Sequence, residues 1–327
     1  MSVKIWPSAG RGVAGAASLL ASCLLAVAAC ASGTATGTAP AAGRSGLESP
    51  GAGYTRGVSL PSAPVASVAP TDDPTAPATA PPSPRPPMPA DPKAPDPTRV
   101  YHVPILMFHR VIPVAEADGG ASDLVMPPER FAEQMKSLFD AGWHSITMAT
   151  LVADMSTNAT IPPKTFVPTF DDGWSDGYNY AFPIMRTYGF VGTFYVISSR
   201  IDRGSDYLST VQLRELEAAG NDIGNHTADH LSLSIIGDSQ VRLEVEVASA
   251  AIATAVGHRP VSLAYPMGGV SMATIAIVDQ VPDLSAAVTT WPGMTETWRD
   301  RYDMPRVRMN PSTDPATLPD ALSGKPV

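Results

Sequence analysis

Two groups of ligand-type side chains stand apart from the rest of this chain. Thr169-Phe170-Asp171-Asp172-Gly173 places two adjacent carboxylates after an apolar run. His226-Thr227-Ala228-Asp229-His230 places two imidazoles four residues apart after a second such run. Together they can give a divalent cation one carboxylate and two imidazole ligands, and leave the other carboxylate free as a base. Three protein ligands and an open fourth position are what metal-assisted hydrolysis requires. The two groups lie over fifty residues apart, so the elements that carry them decide whether they meet.

Residues 103–108 form a short apolar run capped by His109, read as a first strand. Residues 165–170 read as a strand running straight into the aspartate pair, and 222–224 lead into the histidines. Further strands are expected at 144–148, 192–197, 261–265, 286–290 and 306–309. Between them, Phe131, Met135 and Leu138 recur at helical spacing over 128–141, with Gly142 as the stop. A helix is expected at 178–188, ended by Gly189. Ser209 reads as the N-cap of a helix over 210–219 that Gly220 ends, and 239–256 reads as a long amphipathic helix. Mostly continuous apolar strands alternating with helices predict a parallel sheet covered by helices. Residues just past the carboxyl ends of parallel strands converge on one face of a barrel or open sheet. His109, Asp171, Asp172 and His226 can therefore share one pocket.

Composition divides the chain. Residues 31–98 hold 16 of the 34 prolines and are otherwise mainly Ala, Ser, Thr and Gly. Such a segment cannot bury enough apolar surface to offset the entropy of ordering it, and reads as an extended, disordered linker. Residues 99–327 remain for one folded catalytic domain, a normal size for a barrel. The whole chain carries a formal charge of −9, and 99–327 alone carries −10. An acidic domain without a basic stripe argues against a nucleic-acid partner.

Residues 1–30 read as a secretory signal, with Lys4 and Arg11 ahead of an apolar stretch too short for a comfortable membrane span. The stretch ends Val27-Ala28-Ala29-Cys30, which resembles a bacterial lipobox; Leu20-Ala21-Ser22-Cys23 fits the same pattern. Cys30 is preferred, because cutting at Cys23 leaves an apolar segment on the mature chain. The chain has 2 cysteines, both in this leader, which excludes a disulfide framework and a thiolate metal site in the domain. The expected location is the cell envelope, lipid-anchored through Cys30 to the outer face of the cytoplasmic membrane, or secreted, as a monomer touching membrane only through that anchor.

The two motifs resemble the polysaccharide deacetylases of the NodB-homology superfamily, carbohydrate esterase family 4. Thr169 to Gly173 matches the first motif of that family, and His226 to His230 matches the second, His-[Ser/Thr]-x-x-His. Pro104 to His109 resembles the opening of the branch that includes exported poly-N-acetylglucosamine deacetylases. The resemblance covers roughly 102–310 and implies a distorted (β/α) barrel, a single domain behind the linker.

It also implies roles. Asp172, His226 and His230 are the expected metal ligands, for Zn²⁺ first, with Co²⁺, Ni²⁺ or Fe²⁺ also compatible. Asp171 is the expected general base, and His109 the acid that protonates the leaving amine. The third motif, Arg-x-Pro-Tyr-Gly in the family, reads Ala264-Tyr265-Pro266-Met267-Gly268 here. Met267 is then expected to give a backbone N–H to the oxyanion, and Arg306 to replace the missing arginine. The family's Leu-x-His motif is absent, since no histidine follows His258. Trp174, Tyr178, Trp291 and Trp298 are candidates to stack on sugar rings; Trp291 is favoured as a pocket wall, while Trp143 is expected to pack.

The leading activity is metal-dependent removal of N-acetyl groups from an N-acetylglucosamine-containing polysaccharide, whether peptidoglycan, an exopolysaccharide or chitin-like. The alternatives are an O-acetyl esterase acting on a glycan such as xylan, and a cell-wall-binding lipoprotein whose catalytic site has decayed.

Overall fold

The computed structural model describes residues 94–117 and 122–324. The expected signal segment, Cys23, Cys30 and nearly all of the linker lie outside these residues. Residues 94–98 are tied to the domain: Asp96 N–H donates to Asn158 Oδ1 at 2.6 Å, Asn158 Nδ2 donates to the Ala94 carbonyl at 3.0 Å, and Arg299 N–H donates to the Pro97 carbonyl at 3.1 Å.

Seven parallel strands close a barrel. In chain order they are β1 (Ile105–Phe108), β2 (Thr165–Phe170), β3 (Thr193–Val196), β4 (Asp222–Asn225), β5 (Ser262–Ala264), β6 (Ala286–Pro292) and β7 (Met304–Arg308). Each pairs with its sequence neighbour, and β7 returns to pair with β1, which completes the ring. Helices cover the outside: α1 (Pro128–Asp140), α2 (Met148–Ser156), α3 (Phe182–Thr187), α4 (Thr210–Ala218), α5 (Asp238–Val256), α6 (Met272–Val278) and α7 (Leu318–Leu322). Between β6 and β7 the chain makes no helix. It runs instead through Thr295–Thr297, which pairs antiparallel with Val100–His102. Among the described residues no helix is long and apolar enough to cross a membrane.

Strand periodicity of two separates an outer from an inner core. Phe108, Phe170 and Phe194 sit at matching register on β1, β2 and β3. They stack at 5.4 and 4.8 Å and pack with Phe131, Met135 and Leu138 of α1. Ile105, Val167, Tyr195, Val288 and Met304 belong to the other cluster, which fills the barrel. The residue that follows an outward phenylalanine must turn inward. His109 follows Phe108, and Asp171 follows Phe170, so both face the barrel mouth. Asn225 likewise anchors outward on the Val245 carbonyl and Ser249 of α5, and His226 follows it.

Three expectations about elements are corrected. The expected strand 144–148 holds only His144–Ser145 in strand form. Met148 instead opens α2, because Thr147 accepts the Thr150 N–H and caps the helix there. The expected helix 178–188 begins as a wide, π-type turn over Gly177–Ala181 before α3 takes over at Phe182. The last strand starts two residues earlier than expected, at Met304, which places Arg306 within β7 rather than at its edge. Ser209 does cap α4, in a reciprocal box with Gln212.

Candidate active site at the barrel mouth

A cleft of about 220 Å³ opens at the carboxyl ends of the strands, lined by His109, Asp171, Asp172, His226, His230 and Met267 among others. The residues expected from over a hundred positions of sequence are thus gathered in one place. Asp171 N–H donates to the Phe108 carbonyl at 3.0 Å, which ties the ends of β1 and β2 together beneath His109.

Asp172, His226 and His230 present donor atoms that all lie within 4.8 Å of one another. Asp172 Oδ1 is 3.4 Å from His226 Nε2 and 3.3 Å from His230 Nε2. Two ligands about 2.0–2.1 Å from a tetrahedral ion sit about 3.3–3.4 Å apart, so these separations fit one. The donor chemistry agrees. His226 Nδ1 lies 2.7 Å from the Ala264 carbonyl, an acceptor, so Nδ1 carries the hydrogen and Nε2 offers a lone pair. In the neutral ring that lone pair and the Asp172 carboxylate face each other across a gap that a cation would fill; with no cation a proton on Nε2 takes that place, and Asp172 favours the charged imidazole despite its burial. Burial would push Asp172 upward, yet the neighbouring imidazoles hold it well below the carboxylate range. Asp172, His226 and His230 therefore fit a divalent metal.

The backbone here is strained. Asp172, Thr227, His230 and Met267 are non-glycine residues with φ of 73, 65, 61 and 57°. Left-handed conformations of this kind cost on the order of 1–3 kcal/mol each and persist only where the surroundings enforce them. Thr227 N–H donates to Asn225 Oδ1 at 2.7 Å, His230 N–H donates to Thr227 Oγ1 at 3.0 Å, and Asp229 N–H donates to the buried Glu244 at 2.9 Å. Gly173 cannot be replaced cheaply: its φ is +70° and a Cβ would meet Val196 at 3.2 Å.

Arg306 reaches Asp171 from inside the barrel. Nη1 donates to Oδ1 and Nη2 to Oδ2, both at 2.8 Å, while Nε donates to the Thr289 carbonyl at 2.7 Å and Nη1 also to Thr169 Oγ1 at 3.1 Å. The guanidinium is fully buried and the carboxylate nearly so. Burial alone would raise Asp171, but the Arg306 charge and its two bonds outweigh it, so the carboxyl is held below its usual value and stays ionised. His109 Nε2 lies 3.9 Å from Asp171 Oδ2. Burial lowers the His109 imidazole, and the charges of Asp171 and Asp172 recover only part of that.

The aromatic residues divide differently from expectation. Trp174 does not stand free for stacking on sugar: its indole N–H donates to Asp172 Oδ2 at 3.1 Å and its ring stacks on Tyr207. Tyr178 is bonded through its hydroxyl to Glu215. Trp298 packs against the interior cluster and under Arg301 and does not line the cleft. Trp291 is half exposed at the end of β6 and does not line the cleft, where its neighbour Thr290 does. Trp143 packs against Phe166. His102, His144 and His258 are each engaged elsewhere, with Leu322, Thr165 and Glu217. The Ala264 carbonyl and the Trp174 N–H were not legible as ligand supports. Trp174 at least stands two residues from Asp172; a backbone carbonyl leaves no mark in a sequence.

The family model described as polysaccharide deacetylase matches residues 158–282, which include both motifs. YxkH of Bacillus subtilis (strain 168), whose name assigns it to the polysaccharide deacetylases, is 27% identical over 209 residues, covering 64% of this chain and 72% of that one. The peptidoglycan-N-acetylmuramic acid deacetylase PdaC of the same organism is 26% identical over 154 residues, 46% of this chain and 30% of its own length. Among solved structures, the Streptococcus pyogenes deacetylase PplD in complex with acetate superposes with a TM-score of 0.63 at 24% identity, covering 67% of this chain and 97% of that one. With the family match over 158–282, the two motifs it contains and the relatives in agreement, the chain carries a polysaccharide deacetylase domain of the NodB-homology type.

Proposed function

We propose that this protein removes N-acetyl groups from an N-acetylglucosamine-containing polysaccharide at the cell envelope, using a divalent metal held by Asp172, His226 and His230. The observation that carries this reading is the two-point grip of Arg306 on Asp171, one residue from a metal-ligand candidate and facing the same cleft. A fold that needed only to bind glycan has no use for a buried, ionised, unshared carboxylate at that place. The naming of PdaC as a peptidoglycan deacetylase supports peptidoglycan as the first polymer to test. The same reading places the domain outside the cytoplasmic membrane on a Cys30 anchor.

When bound, the metal supplies Lewis acidity, which polarises the acetamide carbonyl and makes water easier to deprotonate. Zinc suits a two-imidazole, one-carboxylate donor set, as do cobalt, nickel and iron. The chain's own groups do the rest. Asp171 accepts the proton of the attacking water, and Arg306 fixes the direction in which its oxygens point. His109 gives a proton to the departing amine; a depressed imidazole is a strong acid once protonated. Met267, exposed on the cleft in a left-handed turn, offers its backbone N–H to the developing oxyanion.

The test is acetate release by the full chain. The protein is stripped with chelator, reloaded with Zn²⁺ or Co²⁺, and offered chitooligosaccharides, peptidoglycan and acetylated xylan. Metal-dependent acetate from an amide substrate, abolished by Asp171→Asn, is expected. Turnover confined to the xylan ester would reassign the chemistry, and no turnover on any of the three would overturn the proposal.

A further inference from the structure

Trp174 connects two parts of the cleft that the reaction does not itself join. Its indole N–H donates to Asp172 Oδ2 at 3.1 Å, while Asp172 Oδ1 faces both imidazoles. The ring is sandwiched: the Arg110 guanidinium lies 4.2 Å from its centroid on one side, and Tyr207 stacks at 4.7 Å. Each flanking group is itself pinned. Arg110 Nε donates to the buried Asp176 at 2.7 Å, and the other Asp176 oxygen accepts the Val111 N–H at 3.0 Å. Tyr207 accepts from Arg200 Nη1 at 2.9 Å, and the Trp174 and Tyr207 backbones form an isolated antiparallel bridge. A stack of four side chains, Arg110, Trp174, Tyr207 and Arg200, thus ends on one oxygen of Asp172. Arg110 follows His109 directly in the chain.

We infer that Trp174 is a positioning residue for the metal: its N–H occupies Asp172 Oδ2 and leaves Oδ1 as the sole carboxylate donor. The inference rests on the metal-site reading of Asp172, His226 and His230. A carboxylate with both oxygens free can rotate about its terminal torsion, which is broad, or close on a cation through both oxygens. Filling one oxygen with a fixed donor removes both options. The left-handed backbone at Asp172 points the same way, since it costs stability and aims a single side chain. The cation–aromatic and aromatic stacking contacts hold the indole plane, so the N–H direction does not depend on solvent. Because Arg110 is part of the stack, the position of the ligand is also tied to the strand end that carries His109.

The experiment is zinc binding to the full chain, by competition with a chromophoric chelator, together with the visible spectrum of the cobalt-loaded protein. Trp174→Phe keeps a ring for Arg110 and Tyr207 and removes only the N–H. Its zinc dissociation constant is expected to rise about 10- to 100-fold, the usual effect of removing a group that orients a metal ligand. The cobalt spectrum is expected to change, and the melting temperature of the metal-free protein to stay the same. Equal zinc affinity in Trp174→Phe and the parent chain overturns the inference. So does a loss of affinity matched by a fall in metal-free stability, which would mark the ring as structural support only. If the parent chain binds no zinc or cobalt, the metal-site reading itself fails and this inference falls with it.

Discussion

Arg306 and Asp171 make a buried ion pair in which neither member has another charged partner as close. Such a pair is worth little as stability compared with apolar packing, but removing one side leaves an uncompensated buried charge. Arg306→Met and Asp171→Asn are therefore each expected to cost about 3–5 kcal/mol in urea unfolding, since each strands one buried charge, and the asparagine amide can accept only one of the two guanidinium bonds. Arg306→Lys keeps the charge and loses the fork. Its kcat is expected to fall by about 10- to 100-fold with KM nearly unchanged, because substrate contacts stay while the base loses its fixed direction. His109 makes a different prediction. An amine leaves far less readily than an alcohol, so His109→Ala should lower kcat on an acetamide by about 10²–10⁴-fold and lower it much less on an acetyl ester. Equal losses on the two substrates would remove His109 from the acid role.

At the scale of elements, β4 leads directly into His226 and is held at both ends. Asp222, at its start, accepts from the Ala149 N–H of α2 at 3.3 Å and from Thr193 Oγ1 at 3.4 Å. Burial raises its carboxyl from 3.8 to about 6 in the folded protein. A raised value means that the neutral form favours folding: the contribution is complete below the unfolded value and is lost as pH rises through about 6. Stability is thus expected to fall by roughly 2 kcal/mol between pH 4 and pH 8 on account of this group. Asp222→Asn should flatten that part of the profile, measured as the urea midpoint against pH. Two residues on, Gly224 leaves no room for a side chain, since a Cβ would lie 2.3 Å from the Tyr195 ring. Gly224→Ala is expected to cost at least about 1–3 kcal/mol and to weaken zinc binding by shifting His226.

For the molecule as a whole, a metal held by Asp172, His226 and His230 would be thermodynamically linked to the fold. A ligand that binds only the folded state stabilises it by about 4 kcal/mol at a thousand times its dissociation constant. Zinc should therefore raise the melting temperature of the chelated full chain, and His230→Ala should remove most of that rise. The location of the domain has its own test. Labelling with a radioactive fatty acid should be abolished by Cys30→Ala and kept in Cys23→Ala; persistence in Cys30→Ala would move the anchor elsewhere, and no label in the parent chain would dispense with it.

The grouping of Asp172, His226 and His230 as candidate ligands and the alternation of strand and helix were legible from residue types, because ligand chemistry and strand periodicity are local properties of the chain. Asp-Asp-Gly after an apolar run and His-x-x-x-His after another state their chemistry wherever they fold, and continuous apolar strands admit few partners other than one another. What no window of sequence could decide is how separate strands meet. By residue type Arg306 is one more charged residue in a short late strand; the family resemblance nominates it for the missing arginine, but only closure of β7 onto β1 brings its guanidinium through the barrel to Asp171. Trp174 reads as a loose aromatic until Arg110 and Tyr207 fix its plane over Asp172. Both depend on distances between segments far apart in the chain, and those are set by packing of the whole barrel rather than by any preference of the residues themselves.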